Sequence, residues 1–97
     1  MEYRKRRFKK SPEVVGRIIG DEAIIVPVNS NLAHQDSIYN LDPAGAKIWQ
    51  MLDGRNSVAE IIGQMVKDTV VSAKQAEQDL EEFLKDLEDI GAIEEVR

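Results

Sequence analysis

Hydrophobic and polar residues follow two different periods along this chain. As far as Leu41, apolar residues cluster in short β-branched runs broken by Gly, Pro and Asp. From Asp42 onward they recur three and four positions apart. Short bounded runs are typical of strands, and the longer period predicts amphipathic helices. The predicted order of elements is therefore β-β-β-α-α-α.

The first part of the chain predicts a small antiparallel sheet. Val14–Ile19 and Ala23–Val28 are separated by Gly20-Asp21-Glu22, which indicates a β-hairpin. Pro27 has no backbone N–H to donate, so we expect it near the end of its strand. Ser37–Leu41 alternates polar and apolar residues and predicts a half-buried third strand.

The second part of the chain predicts three helices with defined ends. Asp42-Pro43 is a helix start, with Asp as N-cap and Pro at the first helical position. Ser57–Glu60 and Ser72–Gln75 are capping-box sequences that begin the next two helices. Gly54 and Gly91 are expected to end the first and third helices. This order of elements predicts an α+β fold of winged helix-turn-helix type, a three-stranded antiparallel sheet followed by three helices.

Length and composition fit one cysteine-free domain. The chain has 97 residues, of which 42% are hydrophobic and 32% charged, which is the profile of a single globular domain. The absence of cysteine excludes disulfides and thiolate chemistry. No apolar run approaches the length of a membrane span. We therefore expect a cytoplasmic protein.

Charge is distributed very unevenly. Residues 1–10 contain six of the thirteen Lys and Arg residues but only one of the eighteen acids. We expect residues 1–12 to form a basic, flexible N-terminal arm and residues 13–97 to form the folded domain, because termini are commonly disordered. The arm is either solvated, folding back in part on the acidic surface, or a contact segment for an acidic partner.

No constellation of residues indicates catalysis. His34 is the only histidine and lies in a polar loop with only Asp36 nearby as a co-ligand. Ser57 and Ser72 are accounted for as helix caps, and the glycines form no phosphate-binding spacing. The sequence therefore predicts a protein that is not an enzyme and has no metal site and no cofactor.

The charge of the third helix argues against DNA recognition, although a helix-turn-helix scaffold suggests it. Between Ala73 and Gly91 there are two lysines and seven acids. Binding to DNA depends on neutralising phosphates with Lys and Arg. A nucleic-acid-binding or transcriptional protein that acts through the basic arm remains the alternative function.

Ser37–Leu41 is an edge strand if the three strands pair in order. It contains neither Lys nor Pro, the residues that commonly protect an edge. Its free backbone groups would accept an extended peptide as an additional strand. The edge is otherwise covered by the N-terminal arm or by a second copy of the chain, and this alternative includes a self-associating subunit or homodimer.

Several segments resemble the PqqD family. They are Ile38-Tyr39-Asn40-Leu41-Asp42, Gly45-Ala46-Lys47-Ile48-Trp49, Leu52-Asp53-Gly54-Arg55-Asn56-Ser57-Val58 and Glu60-Ile61. The resemblance runs from about Val14 to Ile93, and Asp42 stands where the family often has Asn. Members include the peptide chaperone of pyrroloquinoline quinone biosynthesis and the recognition domains of other ribosomally made peptide pathways.

The resemblance implies a domain that binds the leader of a precursor peptide and presents it to a separate enzyme, often a radical S-adenosylmethionine maturase. The leader would add beside the third strand and face the third helix. The expected peptide-binding residues are Ser37, Ile38, Tyr39, Asn40 and Leu41 on the strand, and Ala76, Asp79, Phe83 and Asp86 on the helix. Phe83 is either a pocket floor or plain core, and the two aspartates either meet basic leader residues or face water.

Overall fold

The computed structural model describes residues 2–28 and 38–96. The helices are a short 3-10 helix at Glu2–Lys5, α1 at Pro43–Met51, α2 at Val58–Asp68 and α3 at Ala73–Asp89. The strands are β1 at Arg7–Lys10, β2 at Val14–Ile19, β3 at Glu22–Pro27, β4 at Tyr39–Leu41, β5 at Asp53–Ser57 and β6 at Ile93–Val96. The predicted α+β class is confirmed.

Strands β2, β3 and β4 form the predicted antiparallel sheet in that order. The turn between β2 and β3 contains Gly20 at φ +65°, a backbone conformation that glycine adopts without steric cost. Pro27 is the last residue of β3, where its missing N–H interrupts no interior ladder bond. The third strand begins two residues later than predicted, at Tyr39.

A second antiparallel sheet, which the sequence did not predict, has the order β5-β1-β6. Its central strand β1 comes from the basic N-terminal segment and pairs with β5 on one side and with β6 on the other. The structure thus differs from the expected flexible arm at residues 1–12. The physical reason is Phe8, whose side chain is only 1% exposed and belongs to the hydrophobic core.

Lys10 shows how the basic segment is accommodated. Its Nζ donates to the carbonyl of Leu52 at 3.2 Å and lies 5.1 Å from the centroid of the Trp49 ring. A cation over an aromatic face is attracted by the negative potential of the ring. Burial lowers the pKa of Lys10, with Asp53 acting in the opposite direction. The aliphatic part of the Lys10 side chain is therefore partly buried, while its ammonium group contacts the Leu52 carbonyl and the Trp49 ring.

The helix starts agree with the predicted caps. The Asp42 carboxylate accepts a hydrogen bond from the Gly45 N–H at 2.8 Å. Ser57 and Glu60 form the full reciprocal box, and the Ser72 hydroxyl accepts from the Gln75 N–H at 3.1 Å. Each cap satisfies an N–H group that the first helical turn leaves without a partner.

The end of α1 differs from the prediction. The helix ends at Met51, and the chain passes through Leu52 directly into β5. Gly54 lies within β5 at φ +84°. The glycine therefore permits a left-handed residue inside a short strand and does not terminate the helix. Gly91, at φ +74°, follows α3 as expected.

The core lies between the two sheets and the three helices. Its members are buried hydrophobic residues contributed by every helix α1–α3 and by strands of both sheets: Phe8, Ala23, Ile25, Leu41, Ala46, Ile48, Trp49, Leu52, Val58, Ile61, Ile62, Ala76, Leu80, Leu84, Leu87, Ala92 and Ile93. Because β1 contributes Phe8 to this cluster, the second sheet is part of the same folding unit.

Phe8→Ala is expected to destabilise the protein by about 3–5 kcal/mol, because it removes a fully buried aromatic ring and leaves a cavity. Chemical denaturation followed by circular dichroism measures the change. Lys5→Ala, at an exposed position in the same segment, is the control and should leave stability within about 0.5 kcal/mol. A tolerated Phe8→Ala would mean that the basic segment is not part of the core.

Gly16→Ala is expected to destabilise the protein by roughly 1–3 kcal/mol, because its methyl group overpacks a filled site. A Cβ atom at Gly16 would overlap Nε1 of Trp49, whose side chain is only 3% exposed and has no room to move. Gly63→Ala is the matched control, since a Cβ atom there meets nothing within 4 Å. In the middle of α2 it should stabilise by about 0.5–1 kcal/mol. Thermal melts of both variants test whether Gly16→Ala lowers and Gly63→Ala raises the stability of the protein.

Candidate functional site

A cleft of about 560 Å³ lies between strand β4, the first turns of α1 and one flank of α3. This volume falls in the usual range for ligand sites. Its lining residues combine an apolar floor with several carboxylates at the rim: Glu22, Tyr39, Asn40, Leu41, Asp42, Ala44, Gly45, Ile48, Met65, Asp79 and Phe83.

The cleft owes its shape to the close approach of α1 and α3. A Cβ atom at Gly45 would lie 3.3 Å from Oδ1 of Asp42 and 3.4 Å from Cε1 of Phe83. The capped first turn of α1 therefore lies close to the Phe83 ring. Phe83 is half-buried and packs against the core from its edge. Its ring also lines the cleft, while its role in peptide binding stays a prediction.

The outer edge of β4 borders the cleft. On its inner side β4 pairs with β3, and within residues 2–28 and 38–96 no strand pairs with its other side. The basic N-terminal segment lies in the other sheet. The described part of that segment therefore does not cover this edge, which was one of the two alternatives considered from the sequence. In an antiparallel strand, alternate residues direct both backbone groups away from their partner.

Five of the nine predicted binding residues line the cleft: Tyr39, Asn40, Leu41, Asp79 and Phe83. Ile38 is exposed just before β4, and Ser37 lies outside the described residues. Ala76 is completely buried and belongs to the core, so its side chain is not available to a guest. Asp86 is exposed and does not line the cleft, but its charge acts on Tyr39.

The electrostatics of the cleft are acidic. Glu22, Asp42 and Asp79 contribute three carboxylates, and no Lys or Arg is among its lining residues. Asp79 accepts a hydrogen bond from Nε2 of Gln75 at 2.8 Å, which orients its carboxylate. Burial raises the pKa of the Tyr39 hydroxyl, and the negative charge of Asp86 raises it further.

Sequence reasoning missed six of the lining residues: Glu22, Asp42, Ala44, Gly45, Ile48 and Met65. Asp42 was identified only as a helix cap, and Ile48 and Met65 only as inward-facing helical residues. The small pair Ala44-Gly45 in the first turn of α1 was the available signal, since small residues on a helix surface permit close approach. Glu22 carried no signal, because its contribution depends on how β3 pairs with β4.

Within the described ranges, no group of three or more His, Asp or Glu side chains is arranged to hold a metal ion. Among the same residues no helix is sufficiently long and apolar to span a membrane. His34 lies outside the described residues.

The fold and the cleft define a class of protein: a small α+β domain in which, among residues 2–28 and 38–96, one edge of β4 has no strand partner and borders an apolar-floored, acidic cleft. Within that class, the family is established by comparison. The family model of coenzyme PQQ synthesis protein D (PqqD) matches residues 23–93. The chain belongs to the PqqD family, as its sequence motifs indicated.

A solved structure with the same fold is described as "TbiB1 in Complex with the TbiA(beta) Leader Peptide". The two chains are 27% identical and superpose with a TM-score of 0.76. The match covers 89% of this chain and 94% of the other. A search of curated proteins found no matching relative.

Asp86→Asn is expected to lower the pKa of Tyr39, because it removes a negative charge that opposes ionisation of the phenol. Before the substitution this pKa should lie above the ordinary value of about 10. Titration of the Tyr39 ring carbon by NMR measures both values and separates Tyr39 from Tyr3, whose pKa is raised to about 12. Asp89→Asn, on the same helix, should leave Tyr39 unchanged. Equal effects of the two variants would contradict the placement of Asp86 near Tyr39.

Proposed function

We propose that this chain is a non-catalytic domain that binds the leader segment of a ribosomally synthesised precursor peptide by β-strand addition to β4. The observation that carries the proposal is the outer edge of β4, which has no strand partner in the described part of the chain and lies directly beside the cleft. An extended peptide on a sheet edge gains main-chain hydrogen bonds, and pockets for alternate side chains give specificity. Membership of the PqqD family and the likeness to a leader-peptide complex support the same function.

The dimensions of the site suit an added strand. Neighbouring strands lie about 4.8 Å apart, so a guest beside β4 would occupy the mouth of the cleft. Successive side chains of a strand point to opposite faces. One set would therefore enter the cleft towards Phe83, while the other would face solvent. Met65 and Ile48 would supply apolar contacts at the floor.

Strand β2 is the other unpaired edge of the same sheet among the described residues. Its apolar residues are well exposed, with Ile18 at 51% and Ile19 at 60%. It contributes no residue to the cleft, however. Backbone pairing at β2 would lack side-chain pockets, and we therefore assign the leader to β4.

The alternative of nucleic-acid binding through the basic segment is less well supported. Such an arm would need unpaired, accessible cations. Arg4 instead forms an ion pair with Glu77 at 2.8 Å, and Arg6 forms one with Glu95 at 3.3 Å. Lys10 is half-buried against Trp49. Several charged side chains of the segment therefore already contact other groups of the same molecule.

We further propose that the bound leader is presented to a separate peptide-modifying enzyme, for which a radical S-adenosylmethionine maturase is one candidate. A guest held by its backbone along β4 would keep the residues after the leader outside the cleft. The modified part of the precursor would then remain accessible to a second protein. Pyrroloquinoline quinone biosynthesis is one candidate pathway.

Titration of the isotopically labelled chain with the leader of a short precursor encoded beside its gene tests the proposal. Amide shifts are expected at residues 38–41 and 76–86. Phe83→Ala should weaken binding by roughly tenfold or more, as expected for an aromatic side chain at the centre of an interface. Ile90→Ala removes an exposed apolar side chain from the end of α3 and should leave affinity unchanged.

Several results would count against leader binding at β4. One is a set of shifts confined to β2 or to the second sheet. Another is equal binding by the Phe83 and Ile90 variants, provided that melting curves show both to be folded. A concentration-dependent mass in light scattering, with loss of the β4 signals in the absence of peptide, would favour the self-associating subunit.

A further inference from the structure

Helix α3 carries two acidic surfaces, one on each side of its buried stripe. The stripe consists of Ala76, Leu80, Leu84 and Leu87, all at most 1% exposed. At about 100° per residue, five of the seven acids of the helix lie on its two flanks. The N-terminal flank, towards the 3-10 helix, is Glu77, Glu81 and Glu88, and the cleft flank is Asp79 and Asp86, whereas Glu82 and Asp89 lie opposite the buried stripe.

The protein's own N-terminal segment supplies cations to the first group. Nη2 of Arg4 lies 2.8 Å from Oε1 of Glu77, and this hydrogen bond and charge lower the pKa of Glu77. Burial, together with the negative charges of Glu81, Glu88 and Glu77, raises the pKa of Tyr3 to about 12. The Arg6 guanidinium stacks 5.3 Å from the centroid of the same ring.

No described residue does the same for the cleft flank. The ion pairs among residues 2–28 and 38–96 involve Glu77, Glu95 and Asp68. None includes Asp79 or Asp86. Across the cleft, Glu22 and Asp42 add negative charge of the same sign. Among the described residues, Asp79 accepts a hydrogen bond from Gln75, which is neutral.

Like charges on neighbouring turns of a helix destabilise it by a few tenths of a kcal/mol per pair. Arg4 compensates Glu77 on the N-terminal flank, whereas no described cation forms an ion pair with Asp79 or Asp86 on the cleft flank. A concave surface lined by one sign of charge attracts partners of the opposite sign. The negative charge of the cleft flank therefore bears on which residues the bound peptide contains.

We propose that the peptide held at β4 carries at least one Arg or Lys, which pairs with the cleft flank of α3 next to an apolar side chain that enters the cleft over Phe83. This inference rests on the proposed function and adds the chemical class of the guest. Its basic residue does for Asp79 and Asp86 what Arg4 does for Glu77. The Phe83 ring lies one helical turn from Asp79, so an apolar and a basic residue on the same face of an extended strand would reach both groups.

The test is a selection of random twelve-residue peptides displayed on mRNA against three forms of the full chain. The first is the unaltered protein, and the second is the cleft-flank variant D79K/D86K. The third is the matched control E81K/E88K, which makes the same change in net charge at exposed positions on the other flank of the same helix. Circular dichroism melts verify that all three are folded.

Peptides enriched by the unaltered chain and by the control are expected to share a Lys or Arg at a fixed spacing from an apolar residue. The cleft-flank variant should keep the apolar residue and lose the basic one or replace it with Asp or Glu. A synthetic enriched peptide should bind D79N/D86N roughly twofold to fivefold more weakly than the unaltered chain, which is the range measured for exposed charge pairs. Binding of this peptide to the unaltered chain should also weaken in high salt.

Failure of the charge inference can be distinguished from failure of the proposed function. If peptides bind with amide shifts at residues 38–41 but show no basic preference, or the same preference for all three forms, the charge inference is overturned while leader binding stands. If no peptide is enriched, or enriched peptides shift only residues outside β4 and α3, the proposed function fails and the inference fails with it.

Discussion

The complete burial of one stripe of α3 fixes how this helix is rotated in the molecule. Ala76, Leu80, Leu84 and Leu87 have no alternative to the core, because exposing so much apolar surface would cost several kcal/mol. Once this stripe faces inward, the two acidic surfaces of α3 must face opposite sides. One meets the N-terminal segment, and the other becomes a wall of the cleft beside β4.

The N-terminal segment completes the fold and does not extend from it. Phe8 fills a place in the core while β1 joins β5 to β6. The basic residues around it are accommodated at the surface by ion pairs and by the Trp49 ring. A segment with this composition resembles a flexible tail because Phe8 is the one fully buried hydrophobic side chain among its described residues. With Phe8 in the core, Arg4 lies against Glu77 of α3 and Arg6 against Glu95 of β6.

The helix starts and the first sheet were predictable because their signals are local. The Asp42 and Ser57 caps, the turn at Gly20 and the end of β3 at Pro27 each depend on residues within a few positions. The second sheet was not predictable, since β1 and β6 lie at opposite ends of the chain. Strand pairs between distant segments are formed by tertiary contacts and leave little periodic trace in four residues.

In the candidate site, too, some features follow from local sequence and others only from tertiary contacts. By itself the sequence determined strand β4, which contains neither Lys nor Pro, the acidic amphipathic helix α3 and the family motifs between them. Only the tertiary structure decided that Ala76 is inaccessible, that Phe83 forms a floor against Gly45 and that Glu22 and Asp42 join Asp79 around one cleft. The reason is physical. Periodicity gives the face of an element on which a residue lies, whereas accessibility and electrostatic neighbourhood depend on which other elements pack against that face.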